Sequence, residues 1–217
     1  MATHTQITLM PEDATNTAEA TAVTAAAYLK SHPFHHESVQ RWPVQGDLRV
    51  RLSLTAALPP ADVTSSIQAI VLGDGELRGQ VLFLWPHNRG GDIAHVLIGG
   101  RQDPGETHHQ TAVREVAEET GWLVTPLHMV GFRHFHHLEP WRAESDRPYL
   151  DFIQPVYAAR AVAHRPNLAI PADLTLAGFL PVAEAIASTE SGQRPLLLAA
   201  IQANETDERS RAQASVA

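Results

Sequence analysis

Residues 100–122 read GRQDPGETHHQTAVREVAEETGW, and this stretch decides the fold. It follows a short apolar run, His95 to Ile98, and the pair Gly99-Gly100. Pro104-Gly105 makes a turn, and Thr107 with Gln110 three residues on has the form of a capping box that starts a helix. Ala112, Val113, Val116 and Ala117 then recur on one arc, and Gly121 supplies a stop. Glu115, Glu118 and Glu119 stand at i, i+3 and i+4, so their carboxylates emerge together, away from that arc.

Like charges at that spacing destabilise a helix by a few tenths of a kcal/mol per pair, roughly 0.2–0.5. Arg114 relieves part of this through its i, i+4 pairing with Glu118, and a hard divalent cation would relieve the rest. A solvated acidic face is the plain alternative. The spacing is more specific than that alternative requires. Gly100, Glu106 and the run Arg114 to Trp122 resemble the Nudix box, G-x5-E-x7-R-E-U-x-E-E-x-G-U, at all seven fixed positions. A chance match in this length is on the order of one in a million. The resemblance implies that Glu115, Glu118 and Glu119 bind Mg²⁺ or Mn²⁺, with the Gly99 carbonyl completing the shell. It also implies that Arg114 orients the acidic cluster and that Glu106 supports the loop and helix.

The composition sets the bounds around this motif. A net charge of −8 argues against general binding to nucleic acid or an anionic membrane. The absence of cysteine excludes disulfides, thiol catalysis and zinc–cysteine sites. It also counts against an isopentenyl-diphosphate isomerase, a Nudix-fold relative associated with a catalytic cysteine. There is no run of about eighteen apolar residues, nor a basic amino-terminal region followed by an apolar core, so the expected location is the cytoplasm.

Ahead of the box, residues 1–15 are expected to be unstructured. The alanine-rich stretch from Thr17 to Lys30 is expected to form a helix that packs on the core or on a second subunit of a homodimer. His32, His35 and His36 form a histidine cluster with no obvious fourth metal ligand. Residues 47–58 alternate as a strand, ended by Pro59-Pro60. The expected division is an N-terminal helix and strand extension over 1–64, a Nudix domain over 65–204 and a frayed tail over 205–217. Strands are expected at Ile67–Leu72 and Gln80–Trp85, and the loop after them carries Arg89, a candidate phosphate or base contact.

Beyond the box, residues 123–137 read as a strand with Arg133 and Phe135 on one face and His134 and His136 on the other. Arg133 and Phe135 are candidates to hold phosphate and stack a base. Glu139, Glu144, Asp146 and Asp151 are candidates for a further assisting carboxylate, which the resemblance implies. Residues 149–162 form another strand, in which Pro155 suggests an edge or a bulge. A short helix over 182–188 and a closing helix over 196–204 follow, the second opposite the box helix.

The fold expected is α/β, a Nudix-type α/β/α sandwich with a mixed central sheet. The activity implied is metal-dependent hydrolysis of a phosphoanhydride in a nucleoside diphosphate linked to a moiety X. The alternative is a non-catalytic nucleotide-binding sensor, for which an intact box is unexpected. His137 and Leu138 stand where ADP-ribose enzymes of the family tend to carry proline, and Pro140 comes slightly late. No coenzyme A signature and no dinucleoside polyphosphate tyrosine pattern is apparent. A small-molecule nucleoside triphosphate or nucleotide sugar remains as the substrate class.

Overall fold

A strand can be apolar on both faces only where both faces are covered. Strand β3 (Ile67–Leu72) has this character in the computed structural model, which describes residues 12–86, 95–141, 147–169 and 175–214. Ile67, Ala69 and Val71 face one hydrophobic cluster, and Ile70 and Leu72 face another. The remaining strands are β1 (His36–Trp42), β2 (Gly46–Ser53), β4 (Gln80–Pro86), β5 (Ile98–Gly100), β6 (Trp122–His137), β7 (Asp151–His164) and β8 (Thr175–Pro181). The sheet runs β1-β2-β6-β7-β3-β4-β8, with β5 also on β3; β3 and β7 pair in parallel, and the other named pairs are antiparallel.

Helices α1 (Glu12–Leu29) and α2 (His108–Thr120) cover the face that carries Ile67, Ala69 and Val71, through residues such as Ala25, Ala112 and Val116. Helix α4 (Arg194–Ala214) covers the other face with Leu196, Leu197 and Ala200, and α3 (Val182–Ser188) precedes it. This is the expected α/β/α sandwich with a mixed sheet. Among the described residues no helix is long and apolar enough to cross a membrane.

Four features differ from the sequence reading. Helix α1 starts at Glu12 rather than Thr17, and residues 1–11 lie outside the described set. The histidine-rich stretch opens strand β1, which hairpins onto β2, and β2 pairs with β6. The extension therefore shares the central sheet. Pro155 is buried in the central strand β7, opposite Phe132. The lost N–H is tolerated because parallel pairing to β3 begins only at Val156 and the β6 register shifts beside it, between Met129 and Gly131.

The fourth difference is the tail. Helix α4 continues to Ala214 instead of fraying after Asn204. Arg160 on β7 pairs with Asp74 at 3.1 Å and with Asp207, while Arg211 reaches Asp207 at 2.9 Å and Asp74 at 3.2 Å. The polar half of the helix is thus fastened to the sheet by charge rather than by apolar packing.

The strand directions collect the loops at one end. Leu72 pairs with Val81, so β4 runs back toward the Ile67 end, and Gly100 of β5 stands opposite Ile67. β7 starts at the same end, where Asp151 faces His136. The ion-pair cluster occupies the other end, since Leu72 pairs with Arg160. Arg160→Met leaves Asp74 and Asp207 sharing Arg211 alone. It is expected to cost about 2 kcal/mol in urea denaturation and to speed amide exchange in residues 205–214. An unchanged midpoint and unchanged protection would show that something else holds the tail.

Candidate functional site

The site is built where β5 runs into α2. Gly99 has φ of 151°, and a Cβ there would sit 2.1 Å from the Ile67 carbonyl oxygen, so only glycine lets β5 lie this close to β3. A Cβ on Gly100 would lie 2.4–2.5 Å from the Glu115 carboxylate. The glycine pair therefore leaves a cradle that the first carboxylate of α2 fills. Thr107 caps α2 with the reciprocal Gln110 bond of a capping box, and Gly121 closes it at φ 73° in the left-handed region. The buried face of α2 is Thr111, Ala112, Val116 and Thr120; Val113 and Ala117 of the expected arc are only half-buried. Trp122 stacks on His164 and meets Phe179 edge-on, which accounts for its bulk at the end of the motif.

Arg114 joins the acidic groups. Its Nε and Nη2 donate to the two oxygens of Glu106 at 2.8 and 2.9 Å. Nη1 donates to Glu115 at 2.8 Å and to Glu118 at 3.1 Å, and Nη2 also reaches the Arg101 carbonyl at 2.8 Å. Glu106 accepts two more bonds, from the Asp103 amide at 3.1 Å and the Thr111 hydroxyl at 2.9 Å. The Arg114 guanidinium, helped by these donors, holds the Glu106 carboxyl down at about 2. Glu106 in turn, with Glu115, holds the Arg114 proton more firmly than usual. Glu115 behaves oppositely: burial pushes its carboxyl up despite the neighbouring arginine.

Three observations bear on a divalent cation here. The donors are all oxygen, which suits a hard ion such as Mg²⁺. Glu115 is a desolvated carboxylate whose charged form gains from an added cation. The glycine cradle brings the β5 backbone against it. The residues therefore fit such an ion. Among the described residues, however, no three His, Asp or Glu side chains are already gathered as a coordination set. The Arg114 guanidinium bonds both Glu115 and Glu118 and competes for their oxygens. Glu119 is half-buried next to them.

The other candidates divide. Arg89, Glu144 and Asp146 lie outside the described residues. Glu139 is drawn to the β1–β2 hairpin, 3.4 Å from Arg41 and 3.3 Å from the Asp47 amide. Arg133 and Phe135 share a face as expected, but it is the α4 face, opposite α2. Phe135 is fully buried: Phe152 stacks on it at 4.7 Å and the Arg133 guanidinium lies over its ring. Stacking of a base on Phe135 is therefore corrected, because the core already covers the ring.

Asp151 is the buried carboxylate at the α2 face. Its Oδ1 takes hydrogen bonds from His134 Nε2 at 2.7 Å and His136 Nδ1 at 2.9 Å. Burial alone would raise its carboxyl, but the two histidines more than offset this and hold it below the usual range. Strand alternation sets these two histidines on one face but gives them no partner. Only the β6–β7 register sets His136 opposite Asp151.

The Glu106 carboxyl has an acid signature. Its folded value of about 2 lies below the ordinary 4.5, so its contribution to stability is complete above about 4.5 and is lost as pH falls from there toward 2. Glu106→Gln is expected to melt lower than the parent protein at pH 7, with the gap closing as pH drops from 4.5 to 3. A gap that stays constant across thermal melts at those pH values would contradict the assignment.

No curated protein sequence matches the chain. Solved structures similar to it include a NUDIX hydrolase from Nitrosomonas europaea, 21% identical over 66% of this chain and 90% of that one, with a TM-score of 0.43. The Bacillus subtilis pyrophosphohydrolase BsRppH is 18% identical over 73% and 92%, with a TM-score of 0.45. MutT, from work on Aliivibrio salmonicida and Vibrio cholerae, is 15% identical over 64% and 96%, with a TM-score of 0.40. The NUDIX domain family matches residues 64–200, which span the glycine cradle, the Arg114 cluster, all of α2 and the start of α4. With more than half its length inside that match, the chain belongs to the NUDIX family.

Proposed function

We propose that this chain is a pyrophosphohydrolase that cleaves a phosphoanhydride bond in a nucleoside diphosphate linked to a moiety X, of the nucleoside triphosphate or nucleotide sugar class, with Mg²⁺ or Mn²⁺. The observation that carries the reading is the set of α2 carboxylates joined through Arg114 beside the Gly99-Gly100 cradle. Glu115, Glu118, Glu119 and the Gly99 carbonyl would hold the ion. Such an ion supplies positive charge against the diphosphate oxygens and makes water a better nucleophile at neutral pH.

The remaining work falls to the chain. Glu106 takes two of the Arg114 N–H groups and fixes the guanidinium against the loop, so that its third nitrogen aligns Glu115 and Glu118. Alignment before substrate arrives lowers the reorganisation that the reaction would otherwise require. Asp151 and its two histidines lie at the same end of the sheet, and His136 is the more exposed of the pair. That makes Asp151 the best placed of the described loop carboxylates to assist, because Glu139 is engaged on the hairpin.

Glu119→Gln is expected to abolish turnover, a loss of roughly 10³-fold in kcat, while leaving the unfolding midpoint unchanged. Product release would be measured with Mg²⁺ over nucleoside triphosphates, nucleotide sugars, ADP-ribose and dinucleoside polyphosphates. Near-normal turnover in the variant would overturn the assignment. Stoichiometric nucleotide binding without product from the parent protein would replace it with a ligand sensor.

A further inference from the structure

A cavity of about 410 Å³ lies on the α4 face of the sheet, separate from the α2 carboxylates. Its lining includes His36, Ser38 and Gln40 of β1, Arg133 of β6, and Glu190 and Gln193 of the turn before α4. A third of the wall thus comes from β1, and β1 and β2 together supply more than half; both precede the residues matched by the family. The cavity belongs to this chain's own extension as much as to the shared core.

Arg133 is the unusual member. Its guanidinium rests over Phe135 at 4.7 Å, and its one hydrogen bond among the described residues runs from Nη2 to Gln40 Oε1 at 3.2 Å. A guanidinium carries five N–H donors. Burial lowers its pKa to about 10, with Glu190 the nearest compensating charge, so it stays charged at neutral pH. Glu190 forms no ion pair with it; that carboxylate is exposed and accepts from Gln193 at 3.2 Å. Arg133 is half-buried and lines the cavity, so its remaining N–H groups are open to acceptors that a ligand bound there can supply.

The shape and sign of the cavity select among ligands. An exposed carboxylate at one side disfavours a phosphate chain, so the charged part of a nucleotide belongs with the α2 cluster. The guanidinium fork matches two adjacent acceptors in one plane. Among the bases, guanine offers this with O6 and N7, whereas adenine places an amino donor beside N7. We propose that the cavity formed by β1, β6 and the 190–193 turn is the base subsite, and that Arg133 selects a 6-oxopurine there. The proposal rests on the nucleotide reading given above. Gly99 and Arg133 lie at the same end of the sheet, three strand steps apart, on the order of 15 Å by strand spacing. The α2 carboxylates and the cavity are on opposite faces, so a nucleotide spanning them must turn around that end of the sheet.

Isothermal titration of the full chain with inosine monophosphate and with AMP, without metal, tests this directly, since the two differ at the six-position. The oxopurine is expected to bind at least tenfold more tightly. Arg133→Lys keeps the charge but loses the fork, and should abolish the preference. Ser38→Trp fills the cavity from β1 and should weaken both ligands, with folding of each variant checked by circular dichroism. Equal affinity for the two nucleotides, or a preference that survives both variants, overturns the proposal. Turnover of triphosphates with no preference at the base would sink the subsite and leave the hydrolase intact. Discrimination without turnover would do the reverse.

Discussion

Four carboxylates, those of Glu106, Glu115, Glu118 and Glu119, converge on two turns of chain, and the Arg114 guanidinium is what makes that tolerable. It bonds three of them and also the Arg101 carbonyl. Because one planar group does this, the loop after β5 and the exposed face of α2 are held in a single geometry. Two consequences follow from the same crowding. Glu115 is left partly desolvated, and the backbone beside it must be glycine. The charged form of such a carboxylate gains from any further positive charge brought beside it.

The sheet turns that local cluster into a pocketed end. Parallel pairing of β3 with β7, and antiparallel pairing of β3 with β4 and β5, bring the ends of β4, β5 and β6 to one edge of the sandwich. The opposite end is closed by the Arg160, Asp74, Asp207 and Arg211 cluster, which ties α4 down where its sequence has become polar. Strands β1 and β2 widen the sheet on the α4 side and wall a cavity around Arg133. The extension is thereby part of the sheet and of the cavity wall rather than an appendage.

The parts legible in the sequence were those whose causes are local. The cap at Thr107, the left-handed stop at Gly121 and the Arg114 to Glu118 pairing each depend on residues a few positions apart. Strand Ile67–Leu72 and helix Val182–Ser188 were readable for the same reason, from an unbroken apolar run and from helical pattern. Where the outcome depended on a distant partner, the same reasoning stopped short. Pro155 reads as a mark of an edge or a bulge, and only the sheet decides between them: the strand is central and the register of β6 shifts beside it. Residues 205–214 read as solvated tail until Asp74 and Arg160, over forty residues away, supply their counter-charges. Phe135 reads as a stacking platform until Phe152 and Arg133 occupy it.

The amino-acid sequence by itself determined the box helix, its caps, the acidic cluster with its organising arginine, and through them the family and the α/β/α class. These rest on short-range sterics and hydrogen bonding, which act between neighbours whatever the rest of the chain does. The tertiary structure alone decided which face each strand residue meets, that His134 and His136 share Asp151, and that β1 encloses Arg133. Strand pairing joins segments many residues apart, and a shift of one position exchanges the two faces. Such register is a property of the whole sheet, and no single stretch encodes it.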